Sequence, residues 1–244
     1  MCLIVVALRA HPRYPLVLLA NRDEAYARPA HGAQRWVDAP HVFGGRDLEK
    51  GGTWLAVVPG PERRIAAVTN VRHPTARRVG LSRGALVRAA LDGALPEGDA
   101  LDAYPAFNLL AGSETHLEYR NEEGAREVLR PGLHGLSNAR IDVPWPKVER
   151  ARASLERLLG AATLDFEAAF ALLHEREEAP EARLPDTGVP KELELRLSPA
   201  FIAMPGYGTR ASTVVAFDRD GCIRFAERTF GEGGAPIGQV EATL

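Results

Sequence analysis

The first twenty residues, MCLIVVALRAHPRYPLVLLA, constrain the fold more than any other stretch. Cys2–Leu8 is apolar and rich in β-branched residues, AHPRYP is a turn with two prolines, and 16–20 is a second apolar run. Runs of this length and punctuation predict two buried strands forming a hairpin. Strand-like runs recur at 53–58, anchored by Trp54, and at 65–69 and 107–111. Further pairs lie at 116–120 and 126–129 around NEEG, and in STVVAFD and CIRFAERTF, which flank RDG. Helical periodicity is confined to a few blocks. Ser82 is placed to cap a helix over Arg83–Leu91 that Gly93 closes, a short helix precedes the 107–111 strand, and 147–159 and 165–175 carry apolar residues at helical spacing. Residues 176–200 are rich in proline and charge and read as a surface connection. Many antiparallel strands with helices in blocks predict the α+β class rather than a βαβ repeat. With 244 residues, no repeat and no linker, the expectation is one domain over 1–244.

Composition narrows the function classes. Hydrophobic residues are 45% and charged residues 25%, with a net charge of −2, so nothing electrostatic favours nucleic acid or an anionic membrane as partner. No apolar run approaches the roughly 18 residues of a membrane span. LIVVAL is too short for a signal peptide and lacks a basic segment before it. Two cysteines, Cys2 and Cys222, cannot make a disulfide framework, and a reducing, cytoplasmic setting is the expectation. The seven histidines show no ligand spacing, so no metal is expected. FGGRDLEKGG lacks the GK[ST] ending of a phosphate loop.

Cys2 raises the chemical question. If Met1 is removed, one residue carries both a thiol and a free α-amine, the nucleophile and built-in base of N-terminal-nucleophile hydrolases. Such a site needs a carboxylate to hold the amine, amide donors for the oxyanion, and often an arginine that favours the thiolate. Predicted strand ends supply these types in Asn21, Arg22, Asp23 and Glu24, in Asn70 and Arg72, in Asn138, and in Arg210. A plain structural reading of the same residues stays open. Cys2 is also a fitting small apolar residue for a first strand, the ANRDE cluster a turn network, and Trp54 a core anchor.

MC at the start, NRDE at 21–24, GGTWLA at 51–56, TNVR at 69–72, SRG at 82–84, GLSNARIDVPWPKV at 135–148 and YGTRASTV at 207–214 occur in one order across nearly the whole chain. That series resembles the NRDE family, the bacterial relatives of the eukaryotic transport and Golgi organisation proteins. The resemblance implies an Ntn-hydrolase-like fold, a four-layer αββα sandwich of two antiparallel sheets between helices. Within that fold it is similar to the cysteine branch of penicillin V acylases and conjugated bile-salt hydrolases. It therefore implies an amidohydrolase that cleaves a non-peptide C–N amide bond through a Cys2 thioester. By motif, Cys2 is the nucleophile, Asp23 orients its amine, Asn70 and Asn138 are oxyanion or substrate amides, and Arg210 is the late arginine. Asn21, Arg22, Glu24, Arg72 and Trp54 are the expected binding residues. One position departs from the acylases, whose early arginine precedes the asparagine of the motif where this chain has Ala20. Arg22 is instead expected on the other face of the strand. The hydrolase needs no cofactor. The eukaryotic relatives imply an alternative, a non-catalytic protein that binds haem or an acyl-CoA or lipid ligand in the same pocket.

Overall fold

The computed structural model describes residues 2–244. Its strands in chain order are β1 (Cys2–Leu8), β2 (Leu16–Ala25), β3 (Ala30–Trp36), β4 (Ala39–Asp47), β5 (Leu55–Val58), β6 (Arg64–Asn70) and β7 (Phe107–Gly112). They continue with β8 (Leu117–Asn121), β9 (Arg126–Val128), β10 (Gly132–Leu136), β11 (Ala203–Met204), β12 (Tyr207–Phe217), β13 (Ile223–Phe230) and β14 (Pro236–Thr243). Helices are α1 (Arg83–Leu91), α2 (Pro146–Leu158), α3 (Phe166–Leu173) and α4 (Lys191–Arg196). One sheet has the order β10-β1-β2-β12-β13-β14 with β11 beside β12, and the other runs from β3 to β9 in chain order. Every pairing is antiparallel.

The layering follows from strand alternation, because successive side chains of a strand point to opposite faces. Ile4, Val6, Leu8, Leu16 and Leu18 of the first sheet meet Leu55, Val57, Ile65 and Leu110 of the second. Leu3, Val5, Ala7, Val17 and Leu19 face the other way, onto Val148, Ala151 and Leu155 of α2 and Phe170 and Leu173 of α3. On the second sheet's outer face, Ala56, Val58, Ala66 and Val68 pack on Leu86, Val87 and Leu91 of α1. Helix, sheet, sheet, helix is the four-layer αββα sandwich that the family resemblance implies. β1 and β2 are covered on both faces, which is why they read as unbroken apolar runs.

Four features escape the sequence reading. Residues 30–47 form β3 and β4, although their glycines resemble loop punctuation. Gly45 is required because a Cβ there would lie 2.1 Å from the Trp54 ring. β10, with two glycines in five residues, and β14, a mostly exposed edge strand, carry too little alternating apolar pattern to be seen. The 176–200 segment contains α4, whose Glu194 is buried. Ser82 does stand at the N-cap of α1, but its side chain makes no capping hydrogen bond.

Candidate functional site

β1 runs antiparallel to both β2 and β10, so its first residue lies beside the last residues of β2 and the loop after β10. β12 begins next to the end of β2, and Thr69 of β6 reaches across from the second sheet with its hydroxyl donating to Ser137 O at 2.6 Å. This end of the sandwich holds a cavity of about 710 Å³. Cys2, Arg22, Asp23, Glu24, Thr53, Trp54, Asn70, Tyr207 and the N-terminal residues of α1 are among its walls. The GGTW and SRG motifs meet here backbone to backbone. A Cβ on Gly52 would lie 2.5 Å from the Gly84 carbonyl carbon, and Thr53 N–H donates to Gly84 O at 3.3 Å.

Cys2 is register partner to Arg22. Directly opposed residues of an antiparallel pair share a face, so Arg22 is on the thiol's side of the sheet and not turned away. Positions 20 and 22 also share a parity, which corrects the sequence expectation for Arg22. Its guanidinium lies 4.4 Å from the Trp54 ring centroid. Burial pushes the half-buried Cys2 thiol above its ordinary pKa, while the Asp23 backbone N–H and the Arg22 charge pull the other way. The net direction is upward, against the expectation of a ready thiolate, so this thiol needs a base beside it.

Asp23 accepts a hydrogen bond from Thr209 Oγ1 at 2.7 Å, and Tyr207 donates its hydroxyl to the Asp23 carbonyl at 3.1 Å. Burial raises the Asp23 pKa, and the nearby charges of Lys147 and Arg22 oppose that rise. Lys147, absent from the sequence-derived site, sits on α2 with 1% of its surface exposed and donates to Leu197 O at 3.1 Å. Burial brings its ammonium down to about 8. Its signal in the sequence is faint: it is one of only three lysines, placed at a helix start where a charge ordinarily faces solvent.

The other expected residues divide. Asn70 lines the cavity, and Asn138 does not. Asn138 is fully buried and donates its Nδ2 to Asn70 O at 2.9 Å and to Asn70 Oδ1 at 3.0 Å, which aims the remaining amide hydrogens of Asn70. Glu24 and Trp54 line the cavity; Asn21 and Arg72 do not. Asn21 donates to Leu173 O at 2.7 Å and Ala200 O at 2.8 Å and accepts from Ser212 Oγ at 2.6 Å, holding β2 to the helix layer. Arg72 pairs with Glu194 at 3.1 Å and lies 4.7 Å from the Trp145 ring centroid. Arg210 is the extra residue at a register shift between Thr209 and Ala211. It donates to the carbonyls of Ala25, Tyr26, Arg28 and Phe230 at 2.8–3.1 Å, and so ties down the turn after β2 outside the Cys2 cavity.

Arg28 and Asp47 occupy cavity positions outside the motifs, and Arg83, within SRG but given no role from it, lines the cavity too. Arg28 donates to Asp47 Oδ2 at 2.7 and 3.0 Å. Burial alone would raise the Asp47 carboxyl, but those bonds hold it below the ordinary carboxylate range. A larger cavity of about 850 Å³ lies between α3 and the β13–β14 edge, without a cysteine in its walls. Among the described residues no group of three His, Cys, Asp or Glu side chains is placed to hold a metal ion, and no helix is long and apolar enough to cross a membrane.

The family model described as Transport and Golgi organisation 2 matches residues 1–232. The chain belongs to the Transport and Golgi organisation 2 family. It is 33% identical to the Transport and Golgi organization protein 2 homolog of Bos taurus over 94% of this chain and 93% of that protein. Identity to the Homo sapiens homolog is 31%, with 94% of this chain and 93% of that protein covered. To Transport and Golgi organization protein 2 of Drosophila melanogaster it is 28%, with 94% and 92% covered. Among solved structures, a Caenorhabditis elegans N-acylethanolamine-hydrolyzing acid amidase ortholog shares 14% identity at a TM-score of 0.46, covering 87% of this chain and 92% of that one. That likeness is too slight to bear on activity. The family motifs gain a physical meaning in the fold, since NRDE, GGTW, TNVR, SRG and YGTR all end at or beside one cavity.

Proposed function

We propose that this member of the Transport and Golgi organisation 2 family is a cysteine N-terminal-nucleophile amidohydrolase, cleaving a non-peptide C–N amide bond through a Cys2 thioester. The observation that carries the reading is the position of Cys2, the first residue of β1, in the wall of a cavity that Asp23 and Asn70 also line. Burial holds the thiol protonated, so the reading requires a base beside it. Removal of Met1 supplies that base on the same residue.

In the reaction, Cys2 Sγ attacks the amide carbonyl carbon while its proton passes to the α-amine. The carbonyl π pair moves to oxygen, where the Asn70 amide stabilises the charge. When the carbonyl re-forms, the C–N bond breaks and the leaving amine takes the proton from the ammonium, leaving a thioester. Water then attacks the thioester, again with the α-amine as base, and releases the acid. Asp23 orients the amine, and Lys147 offsets the cost of keeping Asp23 ionised in a buried place.

The haem form of the competing carrier reading has less support. Among the described residues no histidine or methionine lines the cavity, leaving Cys2 as the one soft ligand for haem. Rapid-quench mass spectrometry against a panel of N-acyl amines tests the hydrolase. An acyl group on the peptide beginning at Cys2, absent in Cys2→Ala, is the expected result. A Soret shift on haem titration, with no acylation by any amide, would contradict it.

A further inference from the structure

We propose that the Cys2 cavity selects substrates bearing a compact oxyanion group, such as a carboxylate or phosphate, and seats that group between Arg22, Arg83 and the N-terminus of α1. The proposal takes from the amidohydrolase reading only that this cavity is the substrate site.

Arg22 is the leading observation. It is 6% exposed and lines the cavity, yet among the described residues no carboxylate or carbonyl oxygen accepts from its guanidinium. Its recorded partner is the face of Trp54, a contact that leaves the N–H donors unused. Its nitrogens are not among the fully buried ones, so they open to the cavity with donors that an arriving anion can take up directly. Arg83 lines the same cavity, with one long contact to Ala106 O at 3.4 Å. Both guanidinium groups sense the Cys2 sulfur and the Glu24 carboxylate.

The helix end supplies the third element. α1 has nine residues, and Ser82, Arg83 and Gly84 at its start are cavity walls. The first N–H groups of a helix have no intrahelical acceptor, and the helix dipole places positive potential there. The Ala85 N–H donates to Ser82 O at 2.9 Å, but the Ser82 side chain caps nothing, so its hydroxyl and the N–H groups of Arg83 and Gly84 remain available to a ligand. The Gly52–Gly84 backbone contact fixes this end in place. Arg28, in the turn between β2 and β3, is satisfied by Asp47 and by Glu24 at 3.8 Å. Lys50, 3.8 Å from Glu49, and Arg78 also line the cavity but are exposed, so Arg22 and Arg83 are the less exposed members of its cationic surplus.

Two alkylating reagents of nearly equal size test this without requiring turnover. Iodoacetate carries a carboxylate where iodoacetamide carries a neutral amide, and the ratio of their rates at one thiol cancels that thiol's thiolate fraction. Cys222, half-buried elsewhere in the same protein, is the internal reference. At mildly alkaline pH, in full-length protein, the iodoacetate-to-iodoacetamide ratio at Cys2 should exceed that at Cys222 by about tenfold, the worth of one charge-assisted hydrogen bond. Arg22→Gln and Arg83→Gln should each lower the ratio towards the Cys222 value, and Arg22→Lys should restore part of it. Equal ratios at the two cysteines in the wild type would overturn the proposal. So would a Cys2 that neither reagent reaches, because the cavity would then have no room for the anion. A preserved preference for iodoacetate with no amide hydrolysis would leave the anion seat standing and remove the amidohydrolase reading alone.

Discussion

The Asn138 side chain gives its Nδ2 to the backbone and side-chain oxygens of Asn70, and only Asn70 faces the cavity. The two residues therefore predict opposite phenotypes. Asn70→Ala should fold normally and lose about 10²–10³ in kcat with little change in KM, the cost of removing one oxyanion donor. Asn138→Ala should lower stability by about 1–3 kcal/mol, since it leaves buried oxygens unsatisfied. Denaturant melts and steady-state kinetics on the pair check both statements, and equal kcat losses without destabilisation would contradict them. Motif order placed Cys2, Asp23, Asn70, Arg22, Glu24 and Trp54 in one site, and these six do share the cavity. It could not separate Asn138 and Arg210 from them. An asparagine that aims another asparagine looks the same in a sequence as one that touches substrate. An arginine displaced by a single bulge residue looks like one still in register.

Elements meet at this site through contacts that allow no added atoms. Gly52→Ala would force a methyl group against the Gly84 backbone and push α1 from the strand that follows. The expected loss is about 1–3 kcal/mol, with a weakened iodoacetate preference at Cys2 as the accompanying sign. Thermal melts of Gly52→Ala, read beside its alkylation ratio, test this, and an unchanged ratio in a destabilised variant would detach the helix end from the site. A second junction is Glu227 of β13, which accepts from Ala33 N–H of β3 at 2.7 Å and from Thr213 Oγ1 at 2.9 Å, linking the two sheets. Burial raises its carboxyl from 4.5 to about 7. The folded state thus binds a proton that the unfolded state has released, and stability present below pH 4.5 is lost as pH rises to about 7. The full shift corresponds to about 3 kcal/mol. Glu227→Gln should match the wild type near the lower end of that window and exceed it above the upper end. Parallel pH profiles for the two proteins would refute the assignment.

At the scale of the whole molecule, the α+β class and most elements were legible in the residue pattern, while the four layers followed from the family resemblance. Strands covered on both faces need the continuous apolar runs of β1 and β2, and helices covering one face need the periodicity of α2 and α3. What stayed hidden, β3, β4, β10 and β14, lies where glycine serves close approach or where an edge strand faces solvent. Lys147 stayed hidden for a related reason, because its burial is decided by α4 and the β2 terminus, both distant in sequence. The whole account turns on whether Cys2 begins the working chain, since a thiol raised by burial has no base of its own while Met1 remains. The intact mass of freshly purified protein, with its N-terminal peptide sequenced, measures this directly. The account predicts a chain that starts at Cys2, and a uniformly retained Met1 in protein that hydrolyses amides would contradict it.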